Sequence, residues 1–213
     1  AGQIFTAGGT FGISPAATGL SSAVVQYSST TPGVCSVSGT TVTMLGAGTC
    51  TIAADQAGDA NWNAAAQVTQ SITIGKGTNT ITFPVQPGRA FTTGGTFSIG
   101  PAATGLSSAA VTYSSTTGGV CTVAGSTVTI VSAGTCTIAA NQAGDDNWNA
   151  ATQATQNVTI GKGVNTITFG AQAGQTYSAD GTFAISPLAT ATSGLAVTYT
   201  STTASVCTVA GST

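Results

Sequence analysis

Five cysteines are the residues of this chain best equipped for covalent chemistry. Cys35 and Cys50 bracket VCSVSGTTVTMLGAGTC, Cys121 and Cys136 bracket the near-copy VCTVAGSTVTIVSAGTC, and Cys207 stands alone. Thiols at such spacing serve a disulfide or a metal. Zinc fits poorly, because it takes four Cys or His ligands and this chain offers two thiols per copy and no His. Read with period two, Cys121 shares a face with Val123, and Cys136 shares a face with Val128, Ile130 and Ile138. Both thiols then face the core from neighbouring segments, and a hairpin at Gly125 would bring them within disulfide reach. The expectation is a bridge Cys35–Cys50 and a bridge Cys121–Cys136, each closing a loop of about 15 residues worth roughly 3 kcal/mol in the chain-entropy model. The competing reading is a pair of reduced, buried cysteines packing as small hydrophobes. Paired cysteines in a low-charge chain fit an oxidising compartment.

A second constellation is D-x-N-x-N, which occurs as Asp59, Asn61, Asn63 and again as Asp145, Asn147, Asn149. The pattern opens a calcium loop, so these six are the candidate metal ligands. The Gly and distant Glu that complete an EF-hand are missing, and calcium requires six to eight oxygens. Asp and Asn also stabilise turns by bonding their own backbone, and a structural turn is the expected role. Within the same loops Trp62 and Trp148 could stack on sugars, although such a ring more often caps the end of a sandwich core.

Catalysis has little to work with. There is no His for general-base duty, and Asp55 is replaced by Asn141 in the second copy. Ser and Thr abound without an activating partner. Asp145 and Asp146 are adjacent, so their side chains tend to diverge. Lys76 and Lys162 sit in GKG segments and read as solvated linker residues. Asn157–Thr159 matches a glycosylation acceptor but lies in a predicted strand. No enzyme activity and no cofactor are expected.

Composition narrows the class further. The 213 residues carry a net charge of -2, and 4% are charged against about 25% in ordinary soluble domains. Without a basic patch, nucleic-acid binding is not expected. Hydrophobic residues make up 41%, enough to build cores, so a disordered chain is not expected either. No apolar run approaches the roughly 18 residues of a membrane span, and no membrane insertion is expected in this segment.

The elements that position these residues come from a repeat. Cys35, Cys121 and Cys207 recur at an interval of 86, as do Phe11, Phe97 and Phe183, and Tyr27, Tyr113 and Tyr199. Differences between copies keep apolar character: Met44 becomes Ile130, and Ile72 becomes Val158. A unit this long exceeds a solenoid coil and suits a small domain. NTITF (79–83), AVTYSST (110–116), STVTIV (126–131), GTCTIAA (134–140) and QNVTIG (156–161) alternate apolar with polar residues, as half-buried strands do. Gly-rich clusters at 92–95 and 115–119 supply turns. Residues 145–156 are expected to be loop leading into strand. Around seven short strands per unit point to all-β, antiparallel Greek-key sandwiches in tandem, repeat length 86. The expected domains are 1–76, lacking a first strand; 77–162, complete; and 163–213, truncated. The chain reads as a window from a longer array, so the partner of Cys207 would fall at position 222.

The stretch V-C-x-V-x-G-x-T-V-T…A-G-T-C-T-I resembles the bacterial immunoglobulin-like repeats of large surface adhesins. There the pattern runs Val-Ala-Thr-Val, then Gly…Val-Thr, then Ala-Gly-Thr-Ala-Thr-Ile, so the four paired cysteines stand where that family often has Ala. QAGDANWNAA (56–65) resembles the family's later loop, and TQSITIGKGTNTITF (69–83) its inter-repeat junction. The resemblance covers essentially the whole chain. It implies an immunoglobulin-like fold and a secreted or cell-surface stalk that holds an adhesive tip away from the cell.

The expected function is therefore a non-catalytic structural repeat of an extracellular bacterial stalk or fibre. The expected partners are neighbouring repeats or like chains. The alternative is a multivalent carbohydrate- or matrix-binding module whose avidity comes from copy number.

Overall fold

Alternation of apolar residues with Thr or Ser runs through several of the strands. The computed structural model describes residues 2–212. In TVTM (41–44) and TVTI (127–130) the second and fourth residues are buried and the intervening Thr points outward. Such segments suit a pleated, half-buried surface. The described residues fall into two compact units, which divide between Gly161 and Lys162.

The first unit holds two sandwiches. In the first sandwich the strands are β1 (Gln3–Ile4), β2 (Thr10–Gly12), β3 (Gln26–Ser29), β4 (Cys35–Ser38), β5 (Thr41–Met44), β6 (Gly48–Asp55) and β7 (Val68–Gly75). One sheet runs β1-β7-β6-β3 and the other β2-β5-β4. All pairs are antiparallel except β1 with β7. Phe5, Cys35, Val42, Met44, Cys50, Ile52 and Ile74 form the core between the sheets.

The second sandwich adds one ladder to the same plan. Its strands are β8 (Ile81–Thr82), β9 (Arg89–Ala90), β10 (Thr96–Ser98), β11 (Thr104–Gly105), β12 (Val111–Ser115), β13 (Cys121–Ala124), β14 (Thr127–Ile130), β15 (Gly134–Gln142) and β16 (Ala154–Gly161). Sheets β12-β15-β16-β9 and β10-β14-β13 repeat the first pair, and β8 pairs with β11. Phe83, Cys121, Val128, Ile130, Cys136, Ile138, Val158 and Ile160 are among the buried core residues. The strand expected at 79–83 shortens to β8, while 145–153 is loop leading into β16.

Disulfides join Cys35 to Cys50 and Cys121 to Cys136, with Cα atoms 5.6 Å apart in both. Their placement corrects the hairpin picture. Cys121 lies in β13, where its cross-strand neighbour in β14 is Ile130. Cys136 lies in β15, in the opposite sheet. The fifteen-residue separation contains all of β14, after which the chain has crossed the sandwich. Each bridge therefore ties sheet to sheet through the core, and all four sulfur-bearing residues are fully buried.

The second unit, residues 162–212, forms a single two-stranded ladder between β17 (Ile167–Thr168) and β18 (Thr190–Ala191). Phe169 packs against Tyr199 at 5.7 Å between ring centroids. Ile167, Phe169, Phe183 and Leu188 are exposed. Cys207 is exposed with a free thiol.

Candidate functional site: the clamp at residues 145–149

The two D-x-N-x-N loops fold as Asx-type turns, in which each Asp accepts from its own loop and from a serine of another loop. Asp145 Oδ1 accepts the N–H groups of Asn147 and Trp148, each at 2.9 Å. Its Oδ2 accepts the Ser108 N–H at 2.7 Å and the Ser108 hydroxyl at 3.0 Å. Asp59 repeats the arrangement with Asn61, Trp62 and Ser22. Hydrogen bonds to a carboxylate favour its charged form. The Ser108 N–H, with the Asn147 and Trp148 N–H groups, accordingly lowers the Asp145 pKa to about 2. The Ser22 N–H leads the same downward shift at Asp59.

This arrangement also bears on the calcium ligands considered from sequence. Both oxygens of Asp59 and of Asp145 already accept bonds from the chain. Asn147 Oδ1 accepts the N–H of Ala47 at 2.9 Å, and Asn149 Nδ2 donates to the Lys76 carbonyl at 3.3 Å. Among the described residues, no group of three or more Cys, Asp, Glu or His side chains gathers at a possible metal position. The Asp59, Asp145 and Asn147 side-chain oxygens are thus arranged around protein donors.

What the second loop holds is the first sandwich. Asn147 comes from the second sandwich and Ala47 from the turn between β5 and β6 in the first. Trp148 meets the Phe5 ring edge-on, with centroids 5.3 Å apart and planes at 74°, and its indole packs against the first sandwich's core cluster. It caps a sandwich core, as expected of such a ring, but the core belongs to the preceding sandwich.

The connector is threaded through this contact. Gly77 N–H donates to the Asn147 carbonyl at 2.8 Å, and Asn149 N–H donates to the Gly77 carbonyl at 2.9 Å. A Cβ at Gly77 would stand 2.7 Å from the Trp148 ring and would strike the Phe5 carbonyl as well. Only glycine lets backbone, ring and carbonyl approach so closely. Lys76, read from sequence as solvated, donates through Nζ to the Asp145 carbonyl at 2.6 Å from an exposed position.

Trp62 occupies the equivalent place in the first loop, with 51% of its surface exposed. The same residue type in the same turn is thus covered in one sandwich and open in the other.

A polar set that the sequence reading passed over lies beside the clamp in the second sandwich. Asn79 and Gln142 are buried, and Asn79 Nδ2 donates to Gln142 Oε1 at 3.0 Å. Asn79 Oδ1 accepts the Leu106 N–H at 2.9 Å. Gln142 Nε2 donates to the carbonyls of Ser107 and Ala109. The available signal was the exact recurrence of NTITF at 165–169, which keeps a polar Asn beside two apolar strand positions.

No protein-family model matches this chain, and no curated protein matches it. Among solved structures it is similar to a C-terminal 282-residue fragment of intimin, crystallised in complex with the intimin-binding domain of the translocated intimin receptor. Identity is 17%, coverage 74% of this chain and 58% of that one, and the TM-score 0.30. It is also similar to Drosophila N-cadherin EC1–4, at 11% identity, 66% and 42% coverage and a TM-score of 0.30. The chain spans about half the length of these two solved chains.

Proposed function

We propose that this chain is a structural spacer: a tandem array of immunoglobulin-like Greek-key sandwiches, repeating every 86 residues, in an extracellular bacterial stalk or fibre. The observation that carries the reading is the clamp at the junction. Trp148 and Asn147 of one sandwich grip Phe5 and Ala47 of the previous one, and Asn147 and Asn149 hold the connector at Gly77. A connector held by aromatic packing and paired backbone bonds resists bending, as a flexible Gly/Ser linker does not. Core disulfides across each sandwich limit unravelling and suit an oxidising location. The 86-residue period makes 1–76, 77–162 and 163–213 the natural units of the array.

The test is the spread of distances between the two sandwiches in solution, which a stiff junction keeps narrow. Exposed Trp62 favours a second reading, a carbohydrate- or matrix-binding module, since an open indole stacks on sugar rings. Binding of the chain to a glycan array, lost in Trp62→Ala, would support that reading over the spacer.

A further inference from the structure

We infer that β12 pairs edge to edge with the β12 of a second copy of this chain. β12 ends the sheet β12-β15-β16-β9, and among the described residues no strand lies along its other side. Its register with β15 is unbroken over Val111–Ser115. Just past its end the Thr116 N–H donates to the Thr137 carbonyl at 3.0 Å. Antiparallel ladders alternate, so Thr112 and Ser114 turn their N–H and carbonyl groups toward β15, while Val111, Tyr113 and Ser115 turn theirs away. No backbone bond from the described turns and loops reaches those outward groups.

Open edges pair with extended chains they meet, and proteins blunt them with Pro, charge or short strands. The second sandwich uses these devices on one side only. β9, at the other end of the same sheet, is two residues long, follows Pro87 and carries Arg89, whose guanidinium lies over the Phe97 ring at 5.1 Å. Pro84 follows β8, and Pro101 follows β10. The other charges of this sandwich, Asp145 and Asp146, lie in the clamp loop. β12 is five residues long, with no Pro, no charge and no bulge, and β15 beside it holds no Pro and no charge either.

The edge's own residues name the occupant. A two-fold axis at Tyr113 sets β12 antiparallel to its copy, as in an isologous contact. Tyr113 then faces Tyr113 and Val111 faces Ser115, so the outward N–H and carbonyl groups satisfy one another. Thr112 faces Ser114, both exposed, and such hydroxyl pairs are favourable across strands. Neither copy brings a charge that opposes the approach, and a charged partner would find no counter-charge. The first sandwich leaves the same side open. β3 (Gln26–Ser29) ends the sheet β1-β7-β6-β3 without Pro or charge, and Thr30 N–H donates to the Thr51 carbonyl at 2.9 Å. Each chain thus carries the edge twice, and two chains side by side gain avidity from the second contact. This inference deepens the fibre reading and rests on it for the choice of a like chain, whereas the stiffness of the clamp has a separate test.

Sedimentation of the 213-residue chain with Cys207→Ser, which removes the exposed thiol, tests the inference. The mass should rise with concentration, equally at low and high salt. Thr112→Lys with Ser114→Lys sets like charges opposite one another across the two-fold axis and should weaken association by about tenfold or more. Adding Gln26→Lys with Ser28→Lys should leave a monomer. All four positions are exposed, so the urea midpoint should stay near that of the parent. Amide hydrogen exchange locates the contact: Tyr113 and Ser115 should slow as concentration rises in the parent and not in the lysine variants. A chain that stays monomeric at every concentration overturns the inference, as does association that the four lysines leave unchanged. Slowing confined to other parts of the chain overturns β12 as the contact. A flexible clamp would contradict the spacer reading and leave the edge to be judged by these outcomes alone.

Discussion

The Trp148 indole, at the tip of a loop in the second sandwich, meets the Phe5 ring of the first edge-on at 5.3 Å. Trp148 packs on the hydrophobic core of the first sandwich although its own loop belongs to the second. Aromatic pairs in this geometry contribute about 0.5–1.5 kcal/mol beyond the area they bury.

Trp148→Ala should therefore destabilise the first sandwich by about 2 kcal/mol, less than the ~3–5 kcal/mol of a fully buried aromatic because Trp148 is only half-buried. Trp62→Ala, at an exposed ring in the same turn, should stay within about 0.5 kcal/mol. Urea unfolding of the two variants checks the difference. Equal effects would mean that the Phe5 contact contributes nothing.

Removing one core disulfide through Cys121→Ala with Cys136→Ala should cost about 3 kcal/mol, the loop-closure value for a separation of 15. The cavity left between the sheets adds to that cost. The midpoint of urea denaturation, compared with the intact chain under non-reducing conditions, reads it out.

Acid should loosen both turns. The pKa of Asp145 is lowered from 3.8 to about 2 by the Ser108, Asn147 and Trp148 donors. A carboxyl with a depressed folded pKa stabilises the fold above its unfolded pKa, and that stabilisation is lost as pH falls through the folded value. Thermal stability should thus hold down to about pH 4 and fall between about pH 4 and pH 2. In Asp145→Asn the fall should be smaller, with lower stability at neutral pH. An acid transition of unchanged size in that variant would place its origin elsewhere.

Calcium should not contribute to stability. The oxygens of Asp59 and Asp145 are already taken up by chain donors. EDTA should leave the melting temperature unchanged and added calcium should not raise it. A drop of several degrees, reversed by calcium, would assign the loops to metal.

The strands were legible because each carries its own signal. Val42 and Met44, or Val128 and Ile130, alternate with Thr, and that period alone places them inward. The cysteine pairing was legible from face and spacing, but its path across the core was not. Period two gives the side of a strand and not the sheet to which the strand belongs. The clamp was half legible. Asp145 and Asn147 announce a turn, yet nothing in DDNWN tells which sandwich Trp148 will cover, since that depends on the exit direction of β7 and the approach of Gly77.

The central claim is that the clamp makes the connector stiff, and spin-label distances between the sandwiches test it most directly. Labels at Thr10→Cys in β2 and Thr96→Cys in β10, both exposed positions, in a Cys207→Ser background report the separation by pulsed electron resonance. The account predicts one narrow distance peak that broadens markedly in Gly77→Ala, where the new methyl group would stand 2.7 Å from the Trp148 ring. A broad distribution in the parent chain, or one that Gly77→Ala leaves unchanged, would contradict it.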